Sequence, residues 1–455
     1  MNAIAILDVG KTNKKLFLLD EHYKIIWEQT TAFEGTKDED GEPCEDLEQL
    51  TAWVRQSLDA VSALDGVEVR AINFSAYGAS FVHIGEEGLP VAPLYNYLKP
   101  YPEALEKKFY DTYGGEVSLS MLTASPVLGS LNSGLQLYRI KEQQPELFTR
   151  IRWSLHLPQY LSFLSTGSAC SEITSIGCHT HLWNFSQQHY HEWVYREGII
   201  DKLPSILPST SVLPVRRGAA VRMGAPVAGI GLHDSSSAMI PYLESFREPF
   251  VLISTGTWCI TMNPFNDTAL TVAELKKDCL CYISYQGRPV KSSRLFAGYD
   301  HEQQVRRLAD HFHLSPVYAS AIAFDPAIVA HLRSVMPIAT APTSPVKASV
   351  FGQRALDSFD SFDQAYHCLL LDIMDQQVAS TRLVLEGTGV KRIFVDGGFG
   401  KNQVYMHLLA AAFPDIEVFA ASIPQATAMG AALAIHSHWN DGFLPGDIIE
   451  LKYYK

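Results

Sequence analysis

The sequence predicts an α/β protein built as two large domains, and three observations carry that reading. At 455 residues the chain exceeds what one hydrophobic core supports. Short apolar runs that read as buried strands alternate with amphipathic helical stretches. A strand, polar turn, strand pattern at the amino end, AIAILDVG through LFLLD, restarts just past the middle as PFVLISTGTWCITMNP. The two hairpins share little identity, so a duplicated architecture is suggested by arrangement and not by residue matching.

The elements follow in order. AIAILDVG is a strand rich in Ile and Leu; the polar turn KTNK leads to a second strand, LFLLD, and a second turn, EHYK, so the chain opens as a β-meander. From Leu47 to Leu64 the residues Leu50, Val54, Leu58, Val61 and Leu64 recur at helical spacing. VRAINFSAYG returns as a strand ending in small polar residues. From about Tyr101 to Leu207 stretches such as LNSGLQLYRIKEQ and LPQYLSFLSTG read as mostly helical and are assigned to the first domain. LESFREP interrupts two apolar segments and places the boundary, giving domains 1–243 and 244–455. The second domain continues from its hairpin through a helix without Gly or Pro from Asp363 to Glu386, the strand RIFVDGG, a helix from Gln403 to Ala412 and the strand IEVFAA. A last helix, QATAMGAALAIHS, follows.

Composition narrows the function. With 47% hydrophobic and 19% charged residues the chain can bury cores and lacks the signature of disorder. The 36 Lys and Arg against 49 Asp and Glu give a net charge of −13, which argues against coating nucleic acid and for a small-molecule partner. Asp8 cuts the first apolar run too short for a signal-peptide core, and no run is long enough to span a bilayer, so a cytoplasmic protein without membrane contact is expected. Seven scattered cysteines, an odd number, read as reduced thiols.

Four segments could carry chemistry. DVGKTNKK places the carboxylate of Asp8 at a strand end before Gly10, Lys11, Thr12, Asn13 and Lys15, the donors and acid that a magnesium-bound triphosphate requires; an ordinary hairpin turn capped by Asp8 is the plain alternative. STGTW offers Thr255, Gly256 and Thr257. In GIGLHDSSSA, His233 and Asp234 precede a helix, where the acid is either a general base or the helix N-cap. VDGGFGKNQ ends a strand in Gly397 and Gly398 but matches neither GxGxxG nor the P-loop pattern, which counts against a Rossmann dinucleotide site. A fifth segment, CHTHLWNFSQQHYHEW, gathers Cys178, His179, His181, His189 and His191. On a strand His179 and His181 would point the same way, so a zinc site is conceivable, but the spacing fits no standard pattern and a packed surface meander with satisfied imidazoles is the preferred reading.

The order of these segments resembles the FGGY family of carbohydrate kinases, within the sugar kinase, heat-shock and actin ATPase superfamily, nearly end to end. PLYNYLKP, LHLPQYLSFLSTGSACSEITSIG and WNFSQQHYHEWVYREGI look most like the rhamnulose and fuculose kinase branch. The resemblance implies two ribonuclease H-like domains around a central cleft, ATP and Mg2+ as cofactors, and phosphorylation of a ketose or deoxyketose such as L-fuculose or L-rhamnulose. It implies Asp234 as general base and Asp8 facing the metal, directly or through water. Thr12, Asn13, Thr255, Gly256 and Thr257 would line the phosphates, and Gly397, Gly398, Asn402, Ala428 and Gly430 the adenosine. Tyr77, Ser80, Tyr97, Glu172, Thr174 and His233 would contact the sugar.

Lys11 stands where the family usually has Thr or Ser, Lys15 where Arg is expected, Gln425 where an acid is common, and Ser80 where rhamnulose kinases look to have an acid. Lysine can meet phosphate as a point charge, so Lys11 and Lys15 are expected at the nucleotide, with Gln425 beside them. A homodimer is the expected assembly. A catalytically silent, ligand-sensing member of the same fold and a Rossmann dehydrogenase are the alternatives; Asp234 counts against the first and the missing GxGxxG against the second.

Overall fold

The computed structural model describes residues 1–216, 226–335 and 349–455. They form two compact units, one comprising Met1–Ser245, Cys281–Pro289 and Pro424–Ile448, the other Phe246–Leu280, Val290–Ile423 and Ile449–Lys455. The first break falls inside LESFREP, but the chain re-enters the first unit twice, so the units are not the contiguous stretches 1–243 and 244–455 expected from sequence. The last helix accounts for the longer return: its buried small residues pack on elements of the first unit.

In the first unit β1 (Asn2–Val9), β2 (Lys14–Asp20) and β3 (Ile25–Thr31) form the expected antiparallel meander. Residues Ala3 to Leu7 of β1 are wholly buried, which is why this strand reads as a continuous apolar run instead of an alternating one. The helix α1 (Leu47–Ser62) starts where the Asp46 side chain accepts from the Gln49 N–H. It leads into β4 (Glu68–Ala76), which pairs in parallel with β1. β5 (Val227–Gly229) and β6 (Leu232–His233) also run parallel to β4, so Asp8, Ser75 and Leu232 share a level near the strands' carboxyl ends. The mostly helical middle segment has its own core, where Phe109 packs edge-on against Tyr138 and Trp193. The helix α2 (Asp234–Ser245) follows β6 directly.

The second unit repeats the plan. β7 (Phe250–Thr255), β8 (Cys259–Asn263) and β9 (Pro289–Leu295) lie side by side and antiparallel, with the strand Cys279–Ile283, which precedes β9 in the chain, on its outer side. Past α3 (Ala297–Phe312) and α4 (Phe362–Leu385), β10 (Arg392–Gly397) pairs in parallel with β7. After α5 (Gln403–Ala412), β11 (Glu417–Ser422) runs parallel to β10. A first strand with an antiparallel neighbour on one side and a parallel one on the other is the arrangement of both sheets, the duplication that the two hairpins hinted at. α6 (Ala426–Ala434) packs against α2, β1 and β4, and β12 (Glu450–Tyr454) closes the second unit's sheet beside β11.

The histidine segment holds a short hairpin, Trp183–Asn184 paired with His189–Tyr190, but His179 and His181 lie outside it. His179 and His181 have φ of +41° and +61°, so they occupy a turn and do not alternate onto one face. The segment is also largely buried, with His181 held between the Thr123 hydroxyl at 2.7 Å and the Tyr110 hydroxyl at 3.1 Å. His179 Nδ1 lies 3.0 Å from the Leu131 carbonyl, and His191 accepts from the Trp193 N–H at 3.3 Å. Among the described residues no group of three or more His, Cys, Asp or Glu is disposed to hold a metal ion, no disulfide forms, and no helix is long and apolar enough to cross a membrane.

Candidate functional site

The carboxyl ends of β1, β4 and β6 bring Asp8, Tyr77, His233 and Asp234 to one edge of the first unit's sheet. Asp8 Oδ2 accepts from the Thr427 hydroxyl at 2.7 Å, a partner supplied by α6. Burial raises the Asp8 carboxyl to about 6; the Thr427 hydrogen bond opposes the shift, the Asp234 charge adds to it and Lys15 opposes it. Lys15 Nζ donates to Gln425 Oε1 at 3.1 Å, so strand β2 and the start of α6 bracket Asp8 with polar groups.

Asp234 is the first residue of α2, yet it does not cap in the ordinary way. An N-cap carboxylate accepts from an N–H two or three residues on. Here Oδ1 accepts only from the adjacent Ser235, through its N–H at 2.6 Å and its hydroxyl at 3.2 Å, and Oδ2 has no hydrogen-bond partner among the described residues. Burial raises this carboxyl too, to about 6, against the two Ser235 hydrogen bonds. Its side chain nevertheless keeps 32% of its surface open, so it is crowded by protein on one side and reachable by water and ligand on the other, and the water damps part of the shift. His233 Nε2 lies 3.2 Å from Asp234 Oδ1 and 3.2 Å from Cys178 Sγ. Burial lowers the imidazole to about 4, so the ring is neutral at pH 7.

Three residues expected to touch the sugar lie underneath instead. Glu172 and Thr174 are completely buried. Glu172 accepts from the Thr174 and Ser175 N–H groups at 2.9 and 3.1 Å and from the Thr174 and Ser209 hydroxyls. Thr174 Oγ1 in turn accepts the His233 N–H at 3.0 Å, so the pair forms a pedestal for the histidine and has no surface left for a ligand. Ser80 is also buried, and its carbonyl accepts from the Leu157 N–H at 3.1 Å.

Tyr77 and Tyr97 stay together, edge to face with centroids 6.0 Å apart. The Tyr77 hydroxyl donates to Glu45 Oε2 at 2.9 Å, and the buried Lys14 ion-pairs with the same carboxylate. Lys11 belongs to this group: its ammonium lies 5.2 Å from each tyrosine centroid, among the expected sugar contacts and not with Lys15 beside Asp8. Thr12 and Asn13 are exposed in the turn, which the Gly10 N–H closes onto the Asn13 carbonyl at 2.9 Å. Sequence reasoning missed Glu45, Lys14 and Thr427. Period-two alternation along β2 sends Lys14 and Lys15 to opposite faces and could have found Lys14; Glu45 and Thr427 carry no local signal.

Ala428 and Gly430, expected at the adenosine, are helix-packing residues. Both are buried, and a Cβ on Gly430 would meet the Ser237 carbonyl oxygen at 1.8 Å, so the glycine is what lets α6 lie against α2. The Ser237 hydroxyl donates to the Thr427 carbonyl at 2.8 Å across the same contact.

In the second unit the ends of β7 and β10 meet. Gly397 has φ +88°, and a Cβ there would fall 1.9 Å from the Thr255 carbonyl oxygen. Thr255 is buried, and its hydroxyl is already committed, donating to the Asp396 carbonyl at 2.6 Å and accepting the Phe399 N–H at 3.0 Å; it locks the two strand ends and is not a spare phosphate ligand. Gly256 and Thr257 are exposed, and the Thr257 carbonyl accepts the Tyr299 N–H of α3 at 3.0 Å. Asn402 caps α5 through the Tyr405 N–H at 3.0 Å and donates to the Tyr366 hydroxyl at 2.7 Å. Gly398, where an added Cβ meets nothing within 4 Å, and Asn402 border a cavity of about 350 Å³ whose wall includes His301, Ile322, Tyr366 and Gln403. That size and mixed apolar and polar lining suit a nucleoside.

Residues 3–240 match the N-terminal domain of the FGGY family of carbohydrate kinases, and residues 247–442 match the carbohydrate kinase FGGY C-terminal domain. A rhamnulokinase from Halalkalibacterium halodurans is 23% identical over 266 residues, 57% of this chain and 56% of that protein. An L-fuculokinase from Salmonella typhi is 24% identical over 281 residues, again 57% of this chain and 56% of that one. The matched region thus spans little more than half the length of these curated relatives. Among solved structures, a carbohydrate kinase from Novosphingobium aromaticivorans shares the fold with a TM-score of 0.80 at 21% identity, over 99% of this chain and 96% of that one.

Proposed function

Because the chain belongs to the FGGY family of carbohydrate kinases, we propose that it transfers the γ-phosphoryl group of ATP to a hydroxyl of a sugar, a ketose or deoxyketose such as L-rhamnulose or L-fuculose. The observation that carries this reading is the Asp234 carboxylate, whose Oδ2 is uncommitted among the described residues while Oδ1 is held by Ser235. A group ionising near 6 is a base at pH 7 and a competent proton acceptor for an alcohol. The neutral His233 orients it without adding a charge. As the sugar oxygen bonds to the γ-phosphorus and the bond from that phosphorus to the β,γ-bridging oxygen breaks to release ADP, the proton of the sugar hydroxyl would pass to Asp234 Oδ2.

Mg-ATP, when bound, supplies the phosphoryl group and the divalent charge that phosphoryl transfer requires. Asp8 suits the metal side: one carboxylate, its second oxygen steadied by Thr427, is the usual protein contribution to a magnesium held mainly by phosphates and water. The cavity beside Gly398 and Asn402 suits the nucleoside.

The experiment is ADP release with ATP, Mg2+ and a panel of ketoses, deoxyketoses and polyols, followed by Asp234→Asn. As a base, Asp234 should be worth about 100-fold or more in turnover while sugar and ATP still bind. Near wild-type turnover in a folded Asp234→Asn variant removes the assignment.

A further inference from the structure

Lys11 is the more loosely paired of the two lysines at Glu45. Around Glu45 the first unit collects two ammonium groups: Lys14, which is buried and ion-paired with it, and Lys11, no closer than 4.0 Å. Glu45 also accepts the Tyr77 hydroxyl, so its two oxygens are already engaged. One carboxylate against two lysines leaves one positive charge in surplus.

That surplus is displayed toward ligand, not hidden. The Lys11 side chain keeps 34% of its surface open where Lys14 keeps 2%. The ammonium lies 5.2 Å from the ring centroids of both Tyr77 and Tyr97, which fix its place and partly desolvate it. Burial raises the Tyr97 phenol, and the charges of Asp234 and then Glu45 raise it further. Burial also lowers the Lys11 ammonium, which therefore holds its proton against a desolvation cost that an anion would relieve.

A neutral polyol gives such a cation only weak hydroxyl contacts, whereas an oxyanion gives a charge-assisted hydrogen bond. We propose that Lys11 is a specificity residue and that the sugar phosphorylated here carries an oxyanion, a carboxylate or a phosphate, which pairs with the Lys11 ammonium while the accepting hydroxyl faces Asp234. The proposal rests on the sugar-kinase reading for its scaffold and puts an acidic ketose in place of the neutral deoxyketoses named there. It also takes Lys11 away from the ATP phosphates, where the resemblance had placed it.

The test measures binding separately from turnover. D-fructose, L-rhamnulose and L-fuculose serve as neutral probes, 2-keto-D-gluconate and 5-keto-D-gluconate as carboxylates, and D-fructose 6-phosphate as the phosphate. Each is titrated calorimetrically into the wild-type protein, Lys11→Met and Lys11→Arg, with melting curves to confirm folding. At least one anionic probe should bind about 10- to 100-fold more tightly than every neutral one, Lys11→Met should erase that margin, and Lys11→Arg should retain most of it. The carboxylate and phosphate arms tell the two oxyanions apart. No anionic preference, or a preference that survives in Lys11→Met, overturns the proposal, as does a Lys11→Met variant whose only change is weaker ATP binding. Tight, Lys11-dependent binding of an anionic sugar without phosphoryl transfer would instead leave Lys11 standing and bring down the kinase reading.

Discussion

Asp8 and Asp234 face the same edge of one sheet, and burial raises each to about 6. A carboxyl whose folded value lies above its unfolded value of 3.8 contributes stability that is full below pH 3.8 and is lost as pH rises through about 6. Asp8→Asn keeps an acceptor for the Thr427 hydroxyl while removing the ionisation. It should therefore melt about 2 °C or more above the parent at pH 8 and alike at pH 4, by calorimetry. The same gain at both pH values would mean that the buried charge is not what changed. Both acids stand out in the sequence because each lies where a buried strand gives way to a turn or a helix, Asp8 one residue before the end of β1 and Asp234 directly after β6. Glu45 was not, since its partners Lys14 and Tyr77 come from a different turn and a different strand, and nothing in PCEDL announces them. Lys11 was assigned to phosphate because its turn resembles a phosphate turn; the direction of one long side chain is decided by the aromatic rings it finds.

Two adjacent glycines at the end of β10 do different work. Gly397 combines a positive φ with a backbone oxygen where its Cβ would go, so Gly397→Ala should lower stability whatever the ligand. Gly398 has helical φ and open space around its Cβ position, so Gly398→Val should fold with a nearly unchanged melting curve. Because Gly398 borders the cavity, that variant should bind ATP at least about 10-fold more weakly by titration calorimetry and sugar as before; unchanged ATP affinity would take the loop out of the nucleotide site. Elements of this kind were readable: the sequence placed the long helix at Asp363 to Glu386 and the structure has it at Phe362–Leu385, since an uninterrupted apolar period leaves little choice. The packing of His179 and His181 agrees with satisfied imidazoles, while the turn that holds them and their partners on other segments are features no period reports.

The proposed proton acceptor lies in the first unit and the nucleoside-sized cavity in the second. Hydrogen exchange should separate them: sugar alone should protect backbone amides around Tyr77 and Asp234, and Mg-ATP those around Gly398 and Asn402. Protection by ATP confined to the first unit would place the nucleoside elsewhere. The duplicated plan of the two units was only suggested by the paired hairpins, since their likeness lies in strand order and not in residues. The return of Pro424–Ile448 to the first unit was not legible at all. A helix of Ala, Gly, Met and Leu with a single Thr shows almost no polar face to read; the fit of Gly430 against Ser237 and the hydrogen bond from Thr427 to Asp8 seat it.

That return has a consequence for biosynthesis. Chains emerge from the ribosome amino end first, and domains usually fold as they appear. Here the strand carrying Asp8 precedes Thr427, its hydrogen-bond partner, by 419 residues, and the helix that covers β1 and β4 follows the whole of the central sequence. The first unit must wait, incompletely covered, while the whole of the central sequence is made. A nascent chain arrested before Pro424 would hold both carboxylates and still lack the element that seats one of them, so activity should switch on late and abruptly during synthesis.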